Sequence, residues 1–129
     1  MRFAFLLLLC AIFGWAIGFE YFVTGQLRCG NLPAIRVKVM LYDDKNVDGV
    51  IDYNDELVDE RLTDLYGFFK LKGNTFLDAV ILVHYICIYQ TTPTTFKIII
   101  SNEYISSHLH WRVVNIGNYD LLNTTLIYL

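Results

Sequence analysis

The chain lacks the signatures that would mark it as an enzyme or a nucleic-acid binder. Its 129 residues contain no G-x-S-x-G, no Gly-rich phosphate loop and no H-E-x-x-H. There is thus no nucleophile elbow, phosphate cradle or zincin helix. Basic side chains are in deficit, with 10 Lys+Arg against 13 Asp+Glu for a net charge of −3, which argues against nucleic acid and anionic membranes as partners. Linkers, repeats and low-complexity tracts are also missing, which leaves room for one domain and not two. A long apolar run occurs only at the N-terminus. Beyond it no stretch of 18 or more apolar residues exists, so no transmembrane segment is expected after the leader is removed. Cysteine is scarce, with Cys10, Cys29 and Cys87 the full set.

The one apolar run reads as a secretory leader. Arg2 precedes the apolar stretch Phe3 to Phe13, and Ala16 and Gly18 stand where a signal peptidase needs small side chains. The alternative is an uncleaved anchor helix, but an apolar core from Phe3 to Phe13 falls short of the roughly 20 residues that span a bilayer. Cleavage after Gly18 makes residues 1–18 a signal peptide and residues 19–129 the mature domain. Arg2 leaves with the leader, so 9 bases face 13 acids and the net charge becomes −4. Cys10 leaves as well. Cys29 and Cys87 remain, an even pair that can form one disulfide in an oxidising compartment or lie as two core thiols.

Period-two alternation dominates the rest. Ile35, Val37, Val39 and Leu41 alternate with Arg36, Lys38, Met40 and Tyr42, the pattern of a half-buried strand. Gly67 to Gly73 alternates with Phe69 and Leu71 inward. Val80 to Tyr89 is apolar, β-branched and aromatic, which predicts a central strand buried on both faces. Phe22 to Leu27, Thr94 to Ile100, Leu109 to Ile116 and Leu121 to Leu129 are further β-rich runs. Leu57 to Asp64 fits a helical turn or a strand. Short strands at this spacing predict an all-β sandwich of seven to eight strands. Nine Tyr and nine Phe suit its core, or mark a binding face if they cluster on the surface.

Three constellations could carry chemistry. Asp44-Lys45-Asn46-Val47-Asp48-Gly49 opens like a calcium loop, with Asp44, Asn46, Asp48 and Asp52 as candidate oxygen ligands. Position 12 of that loop would be Asp55 and not the usual Glu, and a strand pattern precedes it, so this is not an EF-hand. The alternative is a solvated acidic turn. His108-Leu109-His110 places two imidazoles on one face if that stretch is a strand, an incomplete zinc site that reads as exposed polar residues at a strand start, and His84 in its apolar run reads as a hydrogen-bonded core or interface residue. No cofactor is expected beyond the calcium alternative. Asn123-Thr124-Thr125 is an N-glycosylation sequon, set in the expected last strand.

Several segments taken together resemble the nematode transthyretin-like family. Val23-Thr24-Gly25-Gln26-Leu27-Arg28-Cys29-Gly30-Asn31-Leu32-Pro33-Ala34 is similar to its V-x-G-x-L-x-C-G-x-x-P-A opening. Val37-Lys38-Val39-Met40-Leu41-Tyr42-Asp43 is similar to its V-x-V-x-L-x-D, and Thr63 to Gly73 to its T-D-x-x-G-x-F-x-L-x-G. Cys87 stands at its second cysteine, and Tyr104-Ile105 matches its Y-I. The sequence departs from the family at Tyr85, where His is usual, and at Asn102-Glu103. The resemblance implies a secreted, transthyretin-type Greek-key β-sandwich with Cys29 bridged to Cys87. It does not imply the hydroxyisourate hydrolase activity found on the same fold, because the C-terminal Y-R-G-S-type motif is missing from Thr124 to Leu129. The expected function is an extracellular binding or adaptor module whose partner is an extracellular or cell-surface protein or small ligand. A carrier of a small apolar ligand between the subunits of a homodimer is the alternative, and a hydrolase the weaker one.

Overall fold

A computed structural model describes residues 20–44, 51, 55–73, 77–87 and 90–129. Among these described residues nine strands and one short helix follow one another as β1 (Tyr21–Cys29), β2 (Leu32–Pro33), β3 (Lys38–Asp44), β4 (Leu57–Leu62), β5 (Phe68–Gly73), β6 (Asp78–Tyr85), β7 (Thr94–Ile100), α1 (Asn102–His108), β8 (Val113–Asp120) and β9 (Leu126–Tyr128). They form two sheets. In the smaller one β1 is the central strand. It pairs antiparallel with β5 and then β2 along one side, and parallel with β8 along the other. The larger runs β4-β3-β6-β7-β9. The architecture is the all-β sandwich that the alternation predicts.

Alternation along each strand builds the core. Tyr21, Val23 and Leu27 of β1, with Phe69 and Leu71 of β5 and Val114 and Ile116 of β8 beside them in the same sheet, pack against the inward rows of β3, β6 and β7. Phe96 on β7 meets Tyr119 on β8 across the two sheets, ring centroids 5.7 Å apart. Cys29 and Cys87 form the disulfide, with Cα atoms 5.6 Å apart, so the family's implied bridge ties the end of β1 to the segment just after β6. Tyr21 carries an internal conflict. Its hydroxyl is buried with no hydrogen-bond partner among the described residues. Burial, reinforced by the Asp43 carboxylate, pushes its pKa up to about 12. The raised value means that the folded state holds Tyr21 neutral while the unfolded chain ionises near pH 10. Stability from this group is therefore full below pH 10 and declines between pH 10 and 12. Tyr21→Phe should match or exceed wild-type stability at pH 7, by up to about 1 kcal/mol, and should blunt the alkaline loss. Thermal melts of both proteins at pH 7 and pH 11 check this. A Phe variant that melts well below wild type at pH 7 would show that the hydroxyl has a partner.

A turn joins the sheets at one end. Asp64 N–H donates to the Phe68 carbonyl, and the Asp64 Oδ1 accepts from Tyr66 N and Phe68 N, each at 2.9 Å. This is the Asp side-chain closure that favours tight turns. The buried Thr63 hydroxyl donates to the Ala34 carbonyl and accepts from Val37 N at 2.9 Å. The T-D-x-x-G motif is thus turn chemistry, and it clamps the segment that enters β3.

Several sequence expectations change. The strand predicted from Ile35 begins only at Lys38: Arg36 has φ 54° and its N–H donates to Thr63 O, which turns the chain and leaves Ile35 exposed. The central strand β6 is buried along its inner face, whereas its outer face is covered fully only at Val80 and opens toward His84. Outward, Val80 is covered but His84 is exposed, bonded to its cross-strand neighbour Thr95 at 3.1 Å, and not in the core. The predicted Leu109–Ile116 strand starts at Val113, because Ser101 caps α1 through Tyr104 N and a tight turn at His110–Val113 follows. His108 ends α1 and His110 opens that turn, so they do not share a strand face. In the last run only Leu126–Tyr128 is strand, and the preceding residues form a turn around Asp120. Leu57–Leu62 resolves as a strand.

Candidate functional site

Outward-facing side chains of the smaller sheet form the most featured surface among the described residues. On β1 these are Phe22, Thr24, Gln26 and Arg28, the odd-numbered neighbours being committed to the core. On β5 Phe68, Lys70 and Lys72 point outward between buried Phe69 and Leu71. On β8 the parallel register slips between Thr24 and Gln26, so that Ile116 and Gly117 stand opposite Gly25 alone. Gly117 supplies the φ of 99° that the bulge requires. The slip aims Asn115 and Asn118 to the same outer side as Thr24 and Gln26.

The result is a groove of about 260 Å3 lined by Thr24, Gly25, Gln26, Phe68, Asn115, Gly117 and Asn118. Its carboxamides are held by a chain of bonds. Arg28 Nε donates to Asn118 Oδ1 at 2.6 Å, Asn118 Nδ2 to Gln26 Oε1 at 2.7 Å, and Gln26 Nε2 to Tyr66 O at 2.9 Å. Phe68 forms the wall shared with a second groove of about 410 Å3, reaching Arg61, Leu62 and Asp64. A third, bounded by Arg36, Leu62 and Leu65, continues around the corner. Leu62, Leu65, Tyr66 and Phe68 are 50 to 69% exposed. These four side chains stand on one turn and the two strands it joins, with Arg61, Asp64 and Lys70 beside them.

The residues singled out in the sequence sit elsewhere. Asp44 lies buried at the end of β3, whereas Asn46, Asp48 and Asp52 fall outside the described residues. Among the described residues no group of three or more His, Cys, Asp and Glu is placed to hold a metal ion. Asn123 is exposed in the turn after β8, its Nδ2 donating to Asp120 Oδ2 at 3.0 Å, and not in the final strand where the sequence placed it. Asp120 also accepts from Gly30 N and Leu122 N. These backbone bonds, with Arg28 beside them, hold its carboxyl below the usual range. Opposite this end, Trp111 is almost fully exposed on the His110–Val113 turn, at a φ of 52°. The groove residues Asn115 and Asn118 escaped sequence reasoning. The outward phase of Thr24, Gln26 and Phe68 was the signal available for the rest.

The profile of the transthyretin-like family matches residues 24–101, a span that runs from the floor of the groove to the end of β7. The chain belongs to the transthyretin-like family. Within that family's span lie both cysteines of the disulfide, the Thr63–Gly67 turn and the Phe68 wall, whereas Asn115 and Asn118 lie beyond it. No curated protein sequence matches the chain. Among solved structures, a 9R-lipoxygenase from Cyanothece PCC8801 is similar in fold, at TM-score 0.52 and 14% identity over 79% of this chain and 16% of that one. An (S)-allantoin synthase aligns at TM-score 0.44 and 13% identity, over 81% of this chain and 42% of that one. The chain therefore spans less than half of either, and at these identities the likeness to the lipoxygenase is one of fold alone. Among the described residues of this transthyretin-like chain, no helix is long and apolar enough to cross a membrane.

Proposed function

We propose that this transthyretin-like protein is a secreted, non-enzymatic adaptor that docks a partner protein through the corner formed by Leu62, Leu65, Tyr66 and Phe68. The observation that carries this reading is the exposure of four large apolar side chains on one turn and its flanking strands. That turn is rigid, because Asp64 and Gly67 close it by backbone and side-chain bonds. A rigid aromatic anchor on a fixed turn loses little entropy on binding, which is how interface hot spots are built. The disulfide supports an oxidising, extracellular setting. The exposed position of Asn123 suits a glycan, and at the disulfide end of the sandwich it leaves the open face free. The shallow, open grooves favour docking over chemistry, since catalysis needs converging groups in a site that excludes water.

The double variant Leu65→Ser, Tyr66→Ser tests the reading. The Asp64 bonds to Tyr66 N and Phe68 N and the Gln26 bond to Tyr66 O use backbone atoms, so the turn should survive and the melting temperature should change little. A partner captured from extracellular fluid by wild type should be lost by the variant, and the purified partner should bind at least tenfold more weakly. Equal binding by both proteins would overturn the assignment of this corner. A small apolar molecule co-purifying with a dimer would favour the carrier reading instead.

A further inference from the structure

We propose that the groove over β1 and β8 binds a neutral, hydroxyl-rich ligand, namely one or two sugar residues of an oligosaccharide. This goes beyond the protein-docking corner and does not rest on it. The groove's volume of about 260 Å3 is close to the lower end of small-ligand sites, roughly 300 Å3. None of its lining side chains ionises: Thr24, Gln26, Asn115 and Asn118 offer a hydroxyl and three carboxamides beside the Phe68 ring. A cation would lose its hydration here without gaining a counter-charge, and an anion would find only Lys70, cross-strand from Thr24 and set over the Phe22 ring at 4.4 Å from its centroid. Arg28, the nearest cation of the chain of bonds, is committed to Asn118 Oδ1 and to the Gly30 carbonyl.

The polar groups are fixed and not spent. A carboxamide has two N–H donors and two acceptor lone pairs. Asn118 uses one donor toward Gln26 and one acceptor position toward Arg28, and Gln26 uses one donor toward Tyr66 O. Asn115 accepts from Gly117 N through Oδ1 at 3.0 Å, which turns its Nδ2 donors away from the backbone. The remaining donors and acceptors, interleaved at set positions, match hydroxyls, each of which both donates and accepts. Little side-chain entropy is left to lose on binding, because the network has already ordered the amides. Phe68 adds an apolar wall of the kind that the C–H face of a sugar ring can cover.

An extended peptide fits less well. Peptides join sheets by pairing with an unpaired strand edge, and the groove lies on the sheet face over β1, which is paired along both sides by β5 and β8, whereas the edge that β8 leaves unpaired among the described residues runs along the side of the sheet. The groove therefore offers side-chain amides and a ring, not a row of free backbone groups. The bulge at Gly117 serves the same end, since bulges re-aim side chains beside binding sites.

Two-dimensional 15N NMR of the disulfide-bonded protein decides it, because the side-chain NH2 signals of Gln26, Asn115 and Asn118 report directly. The probes are chitotriose, cellotriose and mannotriose, with the neutral peptide Gly-Ser-Asn-Gly as comparison. At least one trisaccharide should shift these three NH2 pairs saturably. Asn115→Ala should weaken that binding about tenfold, the worth of one lost hydrogen bond of roughly 1.4 kcal/mol. Thr24→Val, which leaves the bulge intact, should weaken it too if Asn115→Ala proves unstable. The Leu65→Ser, Tyr66→Ser protein should bind the sugar as wild type does, which separates this site from the docking corner. The proposal is overturned if no trisaccharide shifts these signals, if neither groove variant weakens the shift, or if the peptide shifts them and the sugars do not.

Discussion

Replacing both bridged cysteines, Cys29→Ser with Cys87→Ser, should remove about 4 kcal/mol of stability. The bridge spans 58 positions, and a closed loop of that length takes roughly this much conformational entropy out of the unfolded chain. Native packing adds to the loss, because Cys87 is buried and Cys29 packs on the core cluster. Single domains are stable by only about 5–15 kcal/mol, so the variant stands close to unfolding at body temperature. Urea titration followed by circular dichroism measures it. At a slope of about 2 kcal/mol per molar, the midpoint should fall by about 2 M. A shift below about 0.5 M would mean that sheet packing alone fixes the end of β1.

Gly67→Ala should destabilise by about 3 kcal/mol or more. Gly67 has a φ of 82°, a conformation that already strains an L-residue. Steric conflict is worse than the strain. A Cβ built there lies 2.2 Å from the Leu27 carbonyl oxygen, and that oxygen accepts from Ala34 N at 3.0 Å while Leu27 N donates to Gly67 O at 2.9 Å. The methyl group can be accommodated only by parting β1 from the turn, which breaks both bonds and moves the Thr63 clamp. Gly30→Ala is the control. Its φ is 65°, but the nearest atom is the flexible end of Leu122 at 3.3 Å, so strain alone should cost about 1 kcal/mol. Similar losses for the two variants would show that the Leu27 contact relaxes freely.

Period-two patterning made the strands legible wherever one face was buried. Phe69 and Leu71 inward fixed Phe68 outward, and Val39 and Leu41 fixed the face of β3. The method failed where side-chain chemistry overrides alternation. Ile35 continues the β3 pattern perfectly, yet the Thr63 clamp reaches in from 26 positions away, and no local pattern reports a long-range hydroxyl. The helix Asn102–His108 was signalled by Ser101 with Glu103 in its first turn, but the β-rich flanks masked it. The groove was half legible. Thr24 and Gln26 follow from the phase of β1, whereas Asn115 and Asn118 reach it through a bulge, which shifts phase without changing composition. The family resemblance pointed to Cys29 and Cys87 and to the T-D-x-x-G turn, and both proved structural.

The central strand of the smaller sheet has consequences for when this protein can fold. Phe22 pairs with Val113, a separation of 113 − 22 = 91 residues, and its other partner is Lys72 on β5. On the ribosome, at about 5–20 residues per second, β1 emerges roughly 5–20 seconds before β8 exists. During that interval its alternating apolar row has no lasting cover. The larger sheet can assemble β3, β4, β6 and β7 from near neighbours in sequence, while closure of the sandwich waits for the C-terminal quarter of the chain. Cys29 waits as well, since Cys87 arrives 58 residues later. Folding is thus effectively post-translational. An apolar first strand that must wait for its partner is an opening for aggregation during synthesis, and a factor that covers it over that interval would raise the folded yield.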